Sequence, residues 1–320
     1  LDHSVPAVQT PPGRPKWYFG TAVSSAEREA FDTFRTAQEN RKTVIYVGAK
    51  DGMLHAFDAG QFRWGDNDKT SQKEARGYFL WDDMTAECPL PNDGITTGRC
   101  FGVNGKTCSE CPDYGTGDEL WAFIPANVIS RLKNNLAKAD DQAYVDASPT
   151  LADVYIDTDL TDGDETSSWR TVLMSAEGIG GDTVFCLDVT DPDNPTFLWE
   201  FADPDLFRSR SSPSVAQIGR IILDGEARWV AFFVSGKTYD DTLYPSIYMI
   251  DIETGSVLNR IFLNADSRGL GGVPSGQPAL VDSDNNGYID RIYIGSDKGL
   301  LYKVSIPDDP DALNYSITHC

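Results

Sequence analysis

The stretch Val44-Ile45-Tyr46-Val47-Gly48-Ala49-Lys50-Asp51-Gly52-Met53-Leu54-His55-Ala56-Phe57-Asp58 decides how this chain is read. Two short runs of β-branched and aromatic residues flank Asp51-Gly52, a β-hairpin signal. The pattern returns. Val172-Leu173-Met174-Ser175 leads through a Gly-rich turn to Thr183-Val184-Phe185-Cys186-Leu187-Asp188. Val230-Ala231-Phe232-Phe233-Val234-Ser235-Gly236 is followed by Ser246-Ile247-Tyr248-Met249-Ile250-Asp251. Arg291-Ile292-Tyr293-Ile294-Gly295-Ser296-Asp297-Lys298-Gly299-Leu300-Leu301-Tyr302-Lys303-Val304 is a fourth copy.

The spacing is regular. Asp58 and Asp188 are 130 residues apart, and Asp188 and Asp251 are 63 apart. A Pro before a short apolar run falls at Pro149, Pro213 and Pro278, at intervals of 64 and 65. With 130 as two units, Leu120-Trp121-Ala122-Phe123-Ile124 supplies a further copy near 123, and the period is close to 64. Short strands in evenly repeating blocks point to an all-β fold, a modified β-propeller of four-stranded blades with long loop insertions and a few short helices. A stack of β-sandwich domains is the alternative. Residues 1–320 read as one propeller domain, with residues 1–41 as a lead-in carrying a short helix over 25–40. A second helix is expected over 126–137, where Val128, Ile129, Leu132 and Leu136 share a stripe. Five units or so fit, so the ring is either small or completed by further chain. The second is expected, because a closed propeller typically needs more blades and the pattern is cut off soon after its last copy; the start at Leu1 without Met or leader also reads as a piece of a longer protein.

The chain has 320 residues, with 49 Asp+Glu against 27 Lys+Arg and a formal charge of −22. With 40% apolar and 11% aromatic residues there is ample material for a core, which argues against disorder. So negative a field disfavours nucleic acid and anionic membrane surfaces as partners, and attracts cations. Solvation of an exposed surface accounts for the charge equally well. No apolar run approaches the roughly 20 residues that cross a bilayer.

Residues 82–117 form a Cys-rich insertion with Cys88, Cys100, Cys108 and Cys111 in a stretch dense in Pro, Gly and Asn. Crosslinks are expected to order it, in one of three pairings. Zinc is the rival, since Cys108-Ser109-Glu110-Cys111 has ligand spacing, but no His lies nearby. Attachment of c-type haem is excluded because Pro112 follows Cys111. Cys186 lies in an alternating run and reads as a buried thiol.

The sharpest motif is Asp282-Ser283-Asp284-Asn285-Asn286-Gly287-Tyr288-Ile289-Asp290. Asp282, Asp284, Asn286 and Asp290 place oxygens at positions 1, 3, 5 and 9 of a Ca2+ loop. Gly287 permits the sharp turn, and the Tyr288 carbonyl supplies position 7. Tyr293 stands where an EF-hand has its closing Glu, so this is a calcium loop between strands. Calcium suits a flexible loop of many oxygens better than magnesium does. A second acidic stretch, residues 157–165, has irregular oxygen spacing and reads as a solvated turn more than a metal site.

Catalytic groups are sparse. His55 sits on a strand, His3 and His319 lie at the ends, and no nucleophile elbow, phosphate loop or dinucleotide fingerprint appears. No catalytic or organic-cofactor residues are assigned, and the chain reads as a non-enzyme. The seven Trp are expected to pack between sheets.

Tyr46-Val47-Gly48-Ala49-Lys50-Asp51-Gly52-Met53-Leu54-His55-Ala56-Phe57-Asp58 resembles the opening blade of the PilC/PilY-type tip-associated adhesins of type IV pili. So do Glu119-Leu120-Trp121-Ala122-Phe123-Ile124-Pro125, Asp146-Ala147-Ser148-Pro149-Thr150 and Val184-Phe185-Cys186-Leu187-Asp188-Val189-Thr190-Asp191-Pro192. The resemblance runs from about Lys42 to Tyr302. It implies a C-terminal modified β-propeller with one calcium loop, carried here by Asp282, Asp284, Asn286, Tyr288 and Asp290. It further implies export through the periplasm to the outer cell surface and pilus tip, and minor pilins as partners. Contact with host or abiotic surfaces, and calcium control of pilus extension against retraction, belong to the same implication. The Cys-rich segment is longer than the family core suggests. The blade pattern also resembles quinoprotein dehydrogenase propellers, the enzyme alternative, but their vicinal Cys pair has no counterpart here. Another extracellular adhesin or scaffold propeller is the remaining reading.

Overall fold

The computed structural model describes residues 4–66, 76–80, 113–132, 144–159, 166–206, 216–223, 225–235, 245–263, 272, 274, 276–307 and 316–319. Cys88, Cys100, Cys108, Cys111 and Cys320, and hence the expected crosslinks, lie outside them.

Blade one begins earlier than the repeat suggests. Strand β1 (Ala7–Gln9) pairs antiparallel with β2 (Val44–Gly48), which pairs with β3 (Leu54–Asp58) around Asp51-Gly52. Residues 1–41 therefore supply a blade strand as well as a lead-in. After β3 comes a two-stranded ribbon, β4 (Phe62–Trp64) with β5 (Gly77–Phe79). Strand β6 (Glu119–Phe123) then returns to β3 as the fourth strand of the first sheet. The copy expected near 123 is thus an outer strand of blade one. Its aromatic alternation mimics a blade's core strand because it also packs against the neighbouring blade.

The other sheets follow chain order. Blade two is β7 (Thr150–Ile156), β8 (Ser168–Ala176), β9 (Thr183–Asp188) and β10 (Thr196–Ala202). Blade three is β11 (Gln217–Leu223), β12 (Glu226–Val234), β13 (Ser246–Asp251) and β14 (Val257–Phe262). Blade four is β15 (Ala279–Val281), β16 (Arg291–Gly295), β17 (Leu301–Ser305) and β18 (Ser316–His319). The described residues therefore hold four four-stranded blades. Each first strand meets the next, β1 to β7, β7 to β11 and β11 to β15, which places these strands on the inner wall. Pro149 and Pro278 each stand at the mouth of an inner strand, while the paired runs of the repeat are the second and third strands.

Period-two alternation builds the core between blades. On β12, Val230, Phe232 and Val234 join Ile292, Ile294, Tyr302 and Val304 of blade four. Ala231 and Phe233 of the same strand face Val172, Met174, Ala176 and Cys186 of blade two. Between blades one and two, Val44, Tyr46, Leu54 and Ala56 meet Leu173, Phe185 and Leu187. Sheets whose two faces are both buried in this way are why these strands read as continuous apolar runs. Cys186 is a free, fully buried thiol whose pKa burial pushes up, so it is unreactive in the folded chain.

Helix α1 (Ser25–Ala37) interrupts blade one between β1 and β2. A capping box starts it: the Glu27 amide donates to Ser24 Oγ at 3.1 Å, and the Glu27 carboxylate accepts from the Ser24 amide. Its fully buried Phe31 packs edge-on to Trp17 and Trp169, at 5.1 and 4.7 Å between ring centroids. Of the seven Trp, Trp169, Trp199 and Trp229 are buried between blades, whereas Trp64 is 47% exposed. Helix α2 (Ala126–Ile129) opens the second expected helix, whose residues 133–137 lie outside the described residues.

Asp32 ties α1 to the lead-in. Arg14 donates to it through Nε and Nη2 at 3.1 and 2.8 Å, Tyr18 donates its hydroxyl at 2.7 Å, and Arg35 donates at 2.9 Å. Arg14 above all, then Tyr18 and Arg35, hold the Asp32 carboxyl well below the usual carboxylate range. A folded-state pKa below the unfolded one contributes stability present above the unfolded value, about 4, and lost as pH falls below it. Urea midpoints are therefore expected to fall between pH 5 and pH 3, and Asp32→Asn to flatten part of that fall. An identical pH dependence in the variant would contradict this.

Candidate metal centre

Residues 282–290 connect β15 to β16, closing on the Val281–Arg291 pair. Two positions reverse the chain. Asn285 adopts φ 59°, a left-handed conformation that Asn tolerates better than most residues, and Gly287 adopts φ 102°. The loop's own side chains fix the rest. The Asn286 amide donates to Asp282 Oδ1 and to Asp284 Oδ1, both at 3.1 Å. The Gly287 amide reaches Asp282 Oδ2 at 2.9 Å, and the Tyr288 amide reaches Asn286 Oδ1 at 2.7 Å. These Asx turns are what short acidic side chains form when backbone amides stand free ahead of them.

Two of the five expected ligand residues, Asp282 and Asp284, thus bring their carboxylates to one amide, that of Asn286, while the Asn286 side-chain oxygen accepts from Tyr288. Asp290 is placed otherwise: its Oδ1 accepts from the Ser283 amide at 2.9 Å, and its Oδ2 from the Ser283 hydroxyl. The Tyr288 side chain turns away from the acids, with its hydroxyl 3.3 Å from Arg220 Nη2. Among the described residues, no three His, Cys, Asp or Glu side chains stand together as a metal centre. The donor set nevertheless fits a hard cation, being three carboxylates, an amide oxygen and a carbonyl with no sulfur or imidazole. A carboxylate oxygen carries two lone pairs, so each oxygen that accepts one amide retains one for a cation.

The loop is also held from outside. The amides of Thr21 and Ala22 donate to the carbonyls of Asn285 and Asn286 at 2.8 and 3.1 Å. The Ile289 amide donates to the Arg220 carbonyl at 2.7 Å. The Arg220 guanidinium is buried among the rings of Trp17, Tyr288 and Trp229 at 4.8, 4.7 and 5.4 Å from their centroids, and pairs with Glu27. Sequence reading missed this support. The signal available was Trp17-Tyr18-Phe19-Gly20, an aromatic cluster ending in Gly within a segment read as a lead-in.

The second acidic stretch is only partly described, with residues 160–165 outside. Asp157 is buried, its amide donates to Glu253 Oε2 at 3.2 Å, and its Oδ1 accepts the Asp159 amide at 2.9 Å. Burial, and then the neighbouring Asp251 and Asp157 charges, raise the Glu253 pKa. His55 lies between carboxylates, 2.7 Å from Glu119 and 3.1 Å from Asp51, as a strand residue bridging a turn and a neighbouring strand.

The family model described as the PilY1 beta-propeller domain matches residues 126–315, more than half of the chain and including the whole loop. This chain belongs to the PilY1 β-propeller family. PilY1 relatives span most of it. The Type IV pilus biogenesis factor PilY1 of Pseudomonas aeruginosa is 28% identical over 296 residues, which is 88% of this chain and 19% of that protein. A PilY1 homolog of Xylella fastidiosa is 28% identical over 306 residues, 93% of this chain and 18% of its own length. The chain therefore spans about a fifth of the length of these curated relatives. The crystal structure of the P. aeruginosa PilY1 C-terminal domain superposes with a TM-score of 0.56 at 24% identity, over 90% of this chain and 46% of that one. That likeness supports the PilY1-type propeller architecture. No helix among the described residues is long and apolar enough to cross a membrane.

Proposed function

We propose that this chain is a calcium-binding propeller of a type IV pilus biogenesis factor, acting at the cell surface and pilus tip with minor pilins. Calcium occupancy of residues 282–290 then controls pilus extension against retraction and the contact with host or abiotic surfaces. The role is one of binding and assembly, not of catalysis. Family membership, and the naming of the relatives as type IV pilus biogenesis factors, support the pilus assignment. The single observation that carries the calcium reading is the convergence of the Asp282 and Asp284 carboxylates on the Asn286 amide in a loop of oxygen donors.

In this reading Asp282, Asp284, Asn286 and Asp290 hold the ion with side-chain oxygens, and Tyr288 contributes its carbonyl. The ion supplies positive charge that draws three mutually repelling carboxylates together. Asp290, whose oxygens accept from Ser283 in this structure, would be the ligand residue next to β16.

A ligand that binds only the folded loop stabilises it by about 2.7 kcal/mol at a hundredfold excess over Kd. Calorimetry of the purified chain is expected to show calcium-dependent heat and a raised Tm, reversed by chelator and absent in Asp282→Ala and Asp290→Ala. No calcium response, or one unchanged in both variants, sinks the calcium reading. In cells, the full-length protein with Asp282→Ala is expected to give piliation that no longer responds to chelation. A wild-type response there would defeat the pilus-control reading.

A further inference from the structure

Residues outside the loop grip it at both ends of its last ligand positions. The Arg220 carbonyl holds the Ile289 amide, and the Arg220 side chain holds Tyr288, so one residue fixes the backbone between the expected position 7 carbonyl and position 9 carboxylate. The same guanidinium stacks on Trp17 of the lead-in and pairs with Glu27 of α1. Its Nε and Nη1 are buried without a hydrogen-bond partner among the described residues, so ring faces and one carboxylate are what hold this cation in place.

The lead-in meets the loop backbone to backbone. A Cβ added to Gly20 would lie 2.5 Å from the Asn286 carbonyl oxygen and from Gly287 N and Cα. A Cβ on Gly287 would lie 2.8 Å from Val23 Cγ2 and 3.2 Å from the Trp17 carbonyl oxygen. Two glycines in such contact leave no slack. A shift of the loop on gathering its carboxylates must be felt at Gly20, which touches it, and at Thr21 and Ala22, whose amides end on Asn285 and Asn286.

Resting on the calcium reading above, we infer that residues 17–22 and Arg220 set the calcium affinity of the loop, and that calcium in return locks the lead-in and α1 onto blades three and four. Reciprocity is required: what docking does for calcium, calcium does for docking by the same factor. Arg220 acts here as a positioning residue through Tyr288 and Ile289, not as a ligand. The device places the output of the loop on the segment that carries inner strand β1 and α1, and not on the blade that holds the loop.

The test combines two measurements on the 320-residue chain. Calcium titration by calorimetry is expected to show binding weakened about tenfold, within the range of coupled sites, in both Arg220→Met and Gly20→Ala. Hydrogen exchange of the wild-type chain is expected to slow on adding calcium at amides 17–28 as well as at 282–290. If the wild-type chain binds calcium but amides 17–28 exchange unchanged, the coupling is wrong and the calcium reading stands. Unaltered affinity in both variants overturns it equally. If the wild-type chain binds no calcium, the calcium reading fails and takes the coupling with it. The exchange measurement needs no variant, so the inference stays decidable even where a substitution prevents folding.

Discussion

Trp169→Ala is expected to lower the unfolding free energy by about 3–5 kcal/mol, the range for emptying a large aromatic from a packed core. Trp169 is the second residue of β8 and is 8% exposed. Its indole stacks on Trp17 at 5.1 Å with an interplanar angle of 4°, meets Phe31 edge-on at 4.7 Å, and faces Trp229 at 6.0 Å. Blade two, blade three, the lead-in and α1 thus share one side chain. The indole Nε1 has no hydrogen-bond partner among the described residues, so the truncation strands no polar group and its effect is one of packing alone. Those three neighbours belong to three different elements, so they cannot collapse into the space without moving whole elements. Phe197→Ala is the control: at 52% exposed on β10 it is expected to change stability by no more than about 0.5 kcal/mol. Urea unfolding followed by tryptophan fluorescence and by circular dichroism measures both. A loss below about 1 kcal/mol for Trp169→Ala would mean that α1 is not docked as described.

That packing also explains what was legible in the sequence. The second and third strands of blades two and three carry apolar residues on both faces, because these blades bury both, and such runs stand out against an acidic chain. In blades one and four the turn between the second and third strands is marked by a Gly with positive φ, Gly52 and Gly299. The first and fourth strands were harder. β1 is three residues long and its Val8 is 54% exposed, so nothing in Ala7-Val8-Gln9 distinguishes a strand from a tail. β6 was misassigned to a blade of its own because periodicity reports a strand's faces and not its partner, which here lies across an insertion of some sixty residues.

The loop was visible for a local reason and its support was invisible for a non-local one. Alternating oxygens and a Gly lie within nine residues, so residue type and spacing suffice to name them. Arg220 lies 62 residues before Asp282, and Gly20 lies 262 before it. Their roles come from β11 and the lead-in converging on blade four, which no spacing in the sequence encodes. An Arg in the apolar run Gln217-Ile218-Gly219-Arg220-Ile221-Ile222-Leu223 is, beside the aromatic cluster before Gly20, a second local irregularity that points to them.

Glu27→Gln removes the charge that this Arg depends on. Gln keeps an oxygen for the Ser24 amide, so the capping box of α1 survives, while the negative charge and the acceptor oxygen opposite Arg220 are both lost. Arg220 has a side chain 2% exposed, whereas that of Glu27 is 34% exposed. The carboxylate is therefore partly hydrated already and loses little on folding, while the guanidinium has no water to fall back on. Removing one partner of such a pair leaves an uncompensated buried charge, and a loss of about 3 kcal/mol is expected, the low end for fully buried pairs. The aromatic faces around Arg220 recover some of this, since cation–π contacts in dry surroundings are worth about 2 kcal/mol, but Trp17, Tyr288 and Trp229 are present in both proteins and cancel in the difference. Arg220→Met added to Glu27→Gln removes the stranded charge, so the double variant is expected to be no less stable than Glu27→Gln alone. Strict additivity of the two losses would show that the pair is not coupled. Salt gives an independent reading: a buried pair is weakly screened, so raising ionic strength to about 0.5 M should leave the wild-type advantage over Glu27→Gln nearly intact. An advantage that melts away in salt would place Glu27 and Arg220 in water, and with them the contact between α1 and blade three.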